Sequence, residues 1–270
     1  MNMIRLGDIN ITAMNLSRIQ GTTSKVYVKD NKCFKIFNGL YQSERRSMLD
    51  KLIDIEDTKV DGIIYPKDLI FDKGELVGYT MDYFPYAINL YDYFTKDRFV
   101  NIHDIFSATK KASEILKEAH KKGIILQDFS FDNILIDGSS NVMICDIDGC
   151  SFEDNKGPFI SMITHNYYET HMRQRPVINE NLDNQSLLLS MLLTIYHKMI
   201  YDIKFDGHNA LFTNSQTLQN LNDTIQSLLK CSRTKIPYLD EVIDDNDRFI
   251  IDRSKQVSFI KKIKKDYRIV

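Results

Sequence analysis

The sequence predicts an α+β protein in which strands come first along the chain and helices follow. Strand-like runs with alternating apolar residues extend to about residue 85. A helical spacing of three and four residues dominates after residue 86, and a long apolar run occupies 186–200. These observations predict two lobes. Residues 1–85 would form a small antiparallel sheet with one helix, and residues 86–270 a larger, mainly helical lobe joined by a short hinge.

The first lobe contains five strand-like segments, separated by turn signals and one helical pattern. Asp30-Asn31 predicts a two-residue hairpin turn, and Asp72-Lys73-Gly74 predicts a second hairpin. Between the hairpins, the pattern over 43–55 predicts a helix, with Ser43 as its N-cap. The apolar face of this helix would consist of Met48, Leu49, Leu52 and Ile55.

The second lobe begins with a strongly amphipathic pattern that ends at Gly123, a residue typical of helix C-termini. Two short apolar runs follow at 124–126 and 134–136, and VMIC forms a third. The run at 186–200 contains Ser190, His197 and Lys198 and is shorter than the roughly 20 residues that a bilayer requires. We therefore predict a buried core helix there, and no transmembrane segment.

Charge and cysteine usage restrict the partners and the compartment. The 35 basic and 37 acidic residues nearly cancel, so no nucleic-acid partner is expected. The four cysteines lack CxxC spacing, and the N-terminus has no apolar signal core, so a cytoplasmic location is expected. The basic, amphipathic C-terminus (253–270) is compatible with an anionic surface, although a solvated terminal helix is the favoured interpretation.

Polar residues interrupt the short apolar runs of the second lobe. Asp128 and Asn133 lie between two of them, and Asp146 follows the third. One carboxylate could take a proton from a hydroxyl group while the amide and the other carboxylate bind magnesium. A solvated loop explains this pattern equally well when it is considered alone.

With its flanking segments, the chain resembles the protein kinase family. QDFSFDN resembles the catalytic loop HRDxxxxN, CDIDG resembles the DFG segment, and KCFKIF resembles the strand sequence V-A-I-K. The resemblance implies that Asp128 is the catalytic base and that Lys35 holds the α- and β-phosphates of ATP. It also implies that Asn133 and Asp146 bind Mg²⁺.

Further positions follow from the same resemblance. Glu44 would pair with Lys35, and Asp183, in DNQSLLLSMLL, would brace the catalytic-loop backbone. Met81 would lie at the back of the adenine pocket, and the backbone of 82–84 would meet the adenine edge. The implied ATP-binding set is Gly21, Val26, Lys35, Glu44, Met81, Asp82 and Phe84.

The chain departs from the family pattern at several positions. Gln127 replaces the arginine of HRD, and Ser130 replaces the lysine that Ser/Thr kinases usually carry. Asp148 replaces the glycine of DFG, giving an Asp-x-Asp pair that some bacterial kinase-like proteins also show, and we include it among the metal ligands. Gly21 is the only one of the usual three glycines retained.

The sequence therefore predicts a kinase that uses MgATP and transfers a phosphoryl group to a hydroxyl, with Ser or Thr of a protein as the expected acceptor. Ser130 and the short segment after Cys150 favour an alternative, a small-molecule kinase. The reduced glycine loop favours a further alternative, a nucleotide-binding pseudokinase or scaffold. Because Gln127 cannot pair with a phosphate as an arginine does, the enzyme is expected to be active without phosphorylation of its own loop.

Overall fold

The computed structural model is an α+β fold that contains a six-stranded sheet and five α-helices among the described residues. These residues are 1–17, 23–96, 99–152, 157, 160–169, 175–196, 235–243 and 250–252. The predicted fold class is confirmed at the level of α+β, and the architecture is compatible with a kinase-like fold.

The strands are β1 (Asn2–Arg5), β2 (Asn15–Leu16), β3 (Ser24–Lys29), β4 (Lys32–Phe37), β5 (Asp68–Asp72), β6 (Glu75–Asp82), β7 (Ile88–Asn89), β8 (Phe99–Asn101), β9 (Ile124–Ile125), β10 (Ile134–Ile136), β11 (Val142–Ile144), β12 (Ser151–Phe152) and β13 (Ile250–Asp252). The helices are α1 (Gln42–Asp54), α2 (Leu90–Thr95), α3 (Ile102–Lys121), α4 (Met162–Tyr167) and α5 (Glu180–Tyr196).

The large sheet has the strand order β1-β5-β6-β4-β3-β2. Four of its five strand pairs are antiparallel, as predicted, but β1 lies parallel to β5. The sheet is therefore mixed rather than antiparallel. The prediction missed this because the sequence pattern did not reveal β1. Both predicted hairpins are present, and Asp30 and Asn31 have φ angles of 50° and 57°, which a two-residue turn of this hand requires.

Most of the predicted apolar face of α1 is buried, since Met48, Leu52 and Ile55 are each at most 1% exposed, while Leu49 is half-buried against the core. The predicted N-cap was wrong, because the helix begins at Gln42 and Tyr41 holds the N-cap position. Tyr41 donates its backbone N–H to Glu44 at 2.8 Å, so the acidic residue of the first turn satisfies the helix start.

The second half of the chain contains the predicted long helix, α3. It ends two residues before Gly123, whose φ angle is 77°. Strands β10 and β11 form the hairpin that follows the catalytic-loop segment, and β7 pairs with β10. Helix α5 contains the long apolar run up to Tyr196, and residues 197–200 lie outside the described chain. Within the described residues, the helices are too short or too polar to cross a membrane.

One hydrophobic core joins the two predicted lobes. It contains Leu52 of α1 together with Phe106 of α3 and Leu188 of α5. Across the predicted boundary, Ile64 donates its N–H to the carbonyl of Ile144 at 2.8 Å. The division at residue 85 and the two-lobed arrangement therefore stay predictions.

Candidate active site

Lys35 lies on β4, in the interior of the large sheet. Its register partners are Val26 on β3 and Tyr79 on β6. The side chain is 6% exposed, and its ammonium group lies 5.5 Å from the centroid of the Tyr79 ring. A buried lysine needs compensating negative charge, because desolvation of an unpaired ammonium group is costly.

Two aspartates far along the chain provide that charge. Lys35 Nζ donates to both carboxylate oxygens of Asp148, at 3.0 and 3.1 Å. It also donates to Oδ1 of Asp146. The fold therefore brings together charged groups separated by 111 and 113 residues of sequence.

The loop that carries both aspartates follows β11, and Lys51 of helix α1 holds it through hydrogen bonds. Asp146 has a φ angle of 68°, and a 3-10 turn, Ile147–Gly149, follows it. Lys51 of α1 donates to the carbonyl of Asp148 at 2.5 Å and to that of Cys150 at 2.6 Å. Burial lowers the pKa of Lys51, although the nearby Cys150 and Asp148 oppose this change.

Asp128 lies in the catalytic-loop segment between β9 and β10. The preceding residue, Gln127, has a φ angle of 59°, a conformation that non-glycine residues seldom adopt. Asn133 donates its side-chain N–H to the carbonyl of Asp128 at 2.7 Å. Burial and the charge of Asp148 raise the pKa of the Asp128 carboxyl, and Lys35 partly offsets this effect. A raised pKa is typical of groups that exchange protons at active sites.

The opposite side of the catalytic loop rests on Asp183 of α5. This fully buried carboxylate accepts the backbone N–H groups of Leu126 at 2.7 Å and Gln127 at 2.8 Å. It also lies 2.9 Å from Nε2 of His120, whose Nδ1 contacts the hydroxyl of Tyr238 at 2.8 Å. The backbone contact predicted for Asp183 is therefore present, and His120 extends it.

Gln127 connects the catalytic loop to the segment after the Asp-x-Asp pair. Its side chain is fully buried and lies 2.6 Å from the hydroxyl of Ser151, in either orientation of the amide. That hydroxyl also accepts the N–H of Gly157 at 3.0 Å. A neutral amide thus fixes this segment, at the position that the resemblance aligns with the arginine of HRD.

The predicted adenine region contains a small apolar cluster. Met81 and Phe84 pack against buried Ile64, Leu135 and Met143, and Cys145 and Ala87 also contact the cluster. The carboxylate of Asp82 is engaged by Lys67 at 2.6 Å. Contact of the 82–84 backbone with the adenine edge stays a prediction.

The structure does not join Glu44 to Lys35. The carboxylate of Glu44 accepts the N–H of Tyr41 at the first turn of α1, and Asp148 takes the place predicted for it beside Lys35. The predicted ion pair is therefore wrong in this structure, because the first turn directs Glu44 to the helix start. Gly21 lies outside the described residues.

The residues predicted to bind magnesium supply oxygen atoms suited to that ion. The N–H contact to Asp128 fixes the orientation of the Asn133 amide and keeps its Oδ1 as an acceptor. Hydrogen bonding of Cys145 N–H to the Asn133 carbonyl, at 2.9 Å, places Asp146 in the adjoining loop. Among the described residues, no group of three or more His, Cys, Asp or Glu could hold a metal. Mg²⁺ commonly uses one or two protein carboxylates and takes its other oxygens from phosphates and water, so Asn133 and Asp146 fit such an ion.

Sequence reasoning missed Lys51, His120 and the position of Asp148 beside Lys35. A signal for Lys51 was available, because it follows Met48 by three residues and precedes Ile55 by four, on the apolar face of α1. A lysine on an apolar face indicates a buried partner. No comparable signal existed for Asp148, because its contact depends on the tertiary arrangement of β4, α1 and the loop.

The chain has limited sequence similarity to known proteins. A segment of 136 residues, 49% of this chain, is 25% identical to NUAK family SNF1-like kinase 2 from Rattus norvegicus, and it covers 21% of that protein. The chain thus spans about a fifth of the length of this relative. No model of a protein family matches the chain. The similarity suggests a relationship to protein kinases and nothing more specific.

Proposed function

We propose that the protein is an ATP-dependent phosphotransferase that uses magnesium and transfers the γ-phosphoryl group to a hydroxyl on Ser or Thr of a protein. The observation that carries this proposal is the meeting of Lys35 with Asp146 and Asp148 across more than 100 residues of sequence. The similarity to a kinase points in the same direction.

Each residue has a role that its environment suits. Lys35 would hold the α- and β-phosphates through charge-assisted hydrogen bonds from its ammonium group. Asp128 would orient the acceptor hydroxyl and receive its proton. Asn133 and Asp146 would hold magnesium, which neutralises charge on the phosphate oxygens when it is bound.

The apolar cluster beside the predicted hinge would receive the adenine ring. Ligand pockets are mostly apolar, with a few polar groups that fix orientation. Met81, Phe84 and Leu135 provide apolar surface, and the backbone of 82–84 provides polar groups.

A small-molecule acceptor is the second candidate, and Ser130 is the observation that favours it. Ser130 is 7% exposed and uncharged, so it offers no cation toward the transferred phosphate. A kinase that acts on a protein usually carries a lysine at this position. The third candidate, a pseudokinase, is disfavoured because Lys35, Asp128, Asn133 and Asp146 are all retained.

The test is incubation of the purified protein with γ-labelled ATP, magnesium and a cell lysate, followed by separation of labelled protein from labelled metabolites. Label on Ser or Thr of protein is the expected result, and label in metabolites only would favour a small-molecule kinase. ATP binding without any transfer would favour the pseudokinase.

Lys35→Ala should lower ATP affinity or turnover at least about 10-fold, since a hydrogen bond to a charged group is lost. Lys25→Ala is the matched control, because Lys25 is an exposed lysine of the neighbouring strand. Unchanged turnover in Lys35→Ala would remove Lys35 from the site.

A further inference from the structure

Lys51 is a buried lysine on the core-facing side of α1. Its side chain lies with Met48 and Leu52 on the face of the helix that packs against the rest of the protein, and the residue is 1% exposed. An aliphatic side chain would pack here without the cost of desolvating an ammonium group. The lysine therefore needs an explanation beyond packing.

The contacts of Lys51 are directed at one loop. Its ammonium group donates to the carbonyl oxygens of Asp148 and Cys150, at 2.5 and 2.6 Å. These two carbonyls belong to the turn that follows Asp146, so one side chain fixes the backbone on both sides of Gly149.

Asp148 lies between two lysines that come from different elements. Its carbonyl accepts from Lys51 of α1, and its carboxylate accepts from Lys35 of β4 at 3.0 and 3.1 Å. Asp148 thus links α1 to β4, through its carbonyl on one side and its carboxylate on the other. Glu44, the acidic residue expected to make this connection, contacts Tyr41 instead.

We propose that Lys51 is a positioning residue that holds the 146–150 loop so that the Asp148 carboxylate stays on Lys35. Helix α1 is thereby coupled to the candidate nucleotide site by a lysine and a loop carbonyl. Asp148 then serves as the partner of Lys35, and Asn133 and Asp146 remain the ligands for magnesium. The coupling rests on the function proposed above, but the anchoring of the loop does not.

The central variant is Lys51→Met, which keeps the length and the apolar stem and removes the donor. Arg46→Met is the matched control, because it removes a positive charge from an exposed position of the same helix. Hydrogen–deuterium exchange of the 145–152 peptide, measured without nucleotide, reports on the anchor itself. Exchange should become about 10-fold faster in Lys51→Met, as expected for the loss of hydrogen bonds from a charged donor, and stay unchanged in Arg46→Met. Unchanged exchange in Lys51→Met would overturn the proposal.

The second measurement separates positioning from general stability. In Lys51→Met, the KM for ATP should rise about 10-fold while the magnesium concentration for half-maximal rate stays the same. Asp148→Asn should behave likewise. The double variant should be no worse than Asp148→Asn alone, because both changes interrupt one path. Additive effects, or a lower melting temperature with unchanged KM, would contradict the coupling.

Two further outcomes keep the test decisive. If Lys51→Met does not fold, Lys51→Gln replaces it in both measurements. Its amide is uncharged and its side chain is shorter, so exchange and KM should change in the same direction by a smaller factor. If the unaltered protein neither binds nor turns over ATP, the proposed function fails, and with it the coupling. Exchange of the 145–152 peptide would still confirm or contradict the anchor.

Discussion

The two sides of the catalytic-loop segment hold aspartates in opposite ways. On the α5 side, Asp183 accepts two backbone N–H groups and contacts His120, so the oxygens of one carboxylate meet three donors. On the β4 side, Asp146 and Asp148 share the single ammonium group of Lys35. The first arrangement favours stability. The second leaves excess negative charge, as a site for a cation requires.

Strained backbone occurs on both sides of this segment. Gln127 and Asp146, which adjoin or belong to the candidate site, have φ angles of 59° and 68°. Non-glycine residues in this region cost about 1–3 kcal/mol each and persist where the surroundings hold them. Asp183 accepts the N–H of Gln127, so this contact stabilises the strained backbone at that residue.

The largest expected effect comes from Asp128→Asn. A general base contributes about 10²- to 10⁴-fold to rate, so turnover should fall by that factor while MgATP binding is retained. Asp146→Asn should instead weaken magnesium-dependent binding. Nucleotide titrations at several magnesium concentrations make the comparison, and identical behaviour of the two variants would contradict the assigned roles.

Asp183→Asn should cause the largest loss of stability. The amide cannot accept two backbone N–H groups and a histidine as the carboxylate does, so the free energy of unfolding should fall by about 2–3 kcal/mol. Chemical denaturation with a chelator present measures this change. A variant as stable as the original would mean that Asp183 does not hold the loop.

Asp128→Asn is the control for Asp183→Asn and has the opposite expectation. Because the folded pKa of Asp128 is raised, the native state binds more protons than the unfolded state between the two pKa values. Stability contributed by this group therefore falls as pH rises from the unfolded pKa through the folded pKa. At neutral pH, Asp128→Asn should be at least as stable as the original protein.

Glu44→Gln should have a small effect. Its contact with Tyr41 lies at a helix N-terminus, where such contacts contribute about 1 kcal/mol or less. ATP affinity should not change, because the group beside Lys35 is Asp148. A 10-fold loss of ATP affinity would restore Glu44 to the site and would require α1 to rotate in the bound state.

Removal of any phosphoryl groups from the protein's own 150–181 segment should have no effect on turnover. Four of the described hydroxyl residues in the segment after the Asp-x-Asp pair are at most 8% exposed, namely Ser161, Thr164, Tyr167 and Tyr168. Gln127 already fixes the start of this segment through Ser151. Phosphatase treatment, followed by mass spectrometry of 150–181 and an assay, makes the test. A large drop that returns on rephosphorylation would indicate a phosphate partner such as exposed Arg175, or Arg173, which lies outside the described residues.

The local sequence pattern was sufficient to predict several helices and turns and to single out the candidate site residues in their order. The turn residues Asp30 and Asn31 predicted the first hairpin, and the helical spacing before Gly123 predicted α3. Motif order singled out Lys35, Asp128, Asn133 and Asp146, whose catalytic roles stay predictions. These signals depend on neighbouring residues, so the sequence contains them directly.

The tertiary structure decided which charges meet. Lys35 could pair with any acidic group near β4, and the fold selected Asp146 and Asp148 while the first turn of α1 retained Glu44. The parallel pairing of β1 and the contact of Lys51 with the loop carbonyls are equally nonlocal. The sequence by itself determined the α+β class, the turns and the candidate residues, because periodicity and turn chemistry act over a few positions. Partners separated by about 100 residues were decided only when the core had packed, because the energy of an ion pair depends on distance and burial rather than on position in the chain.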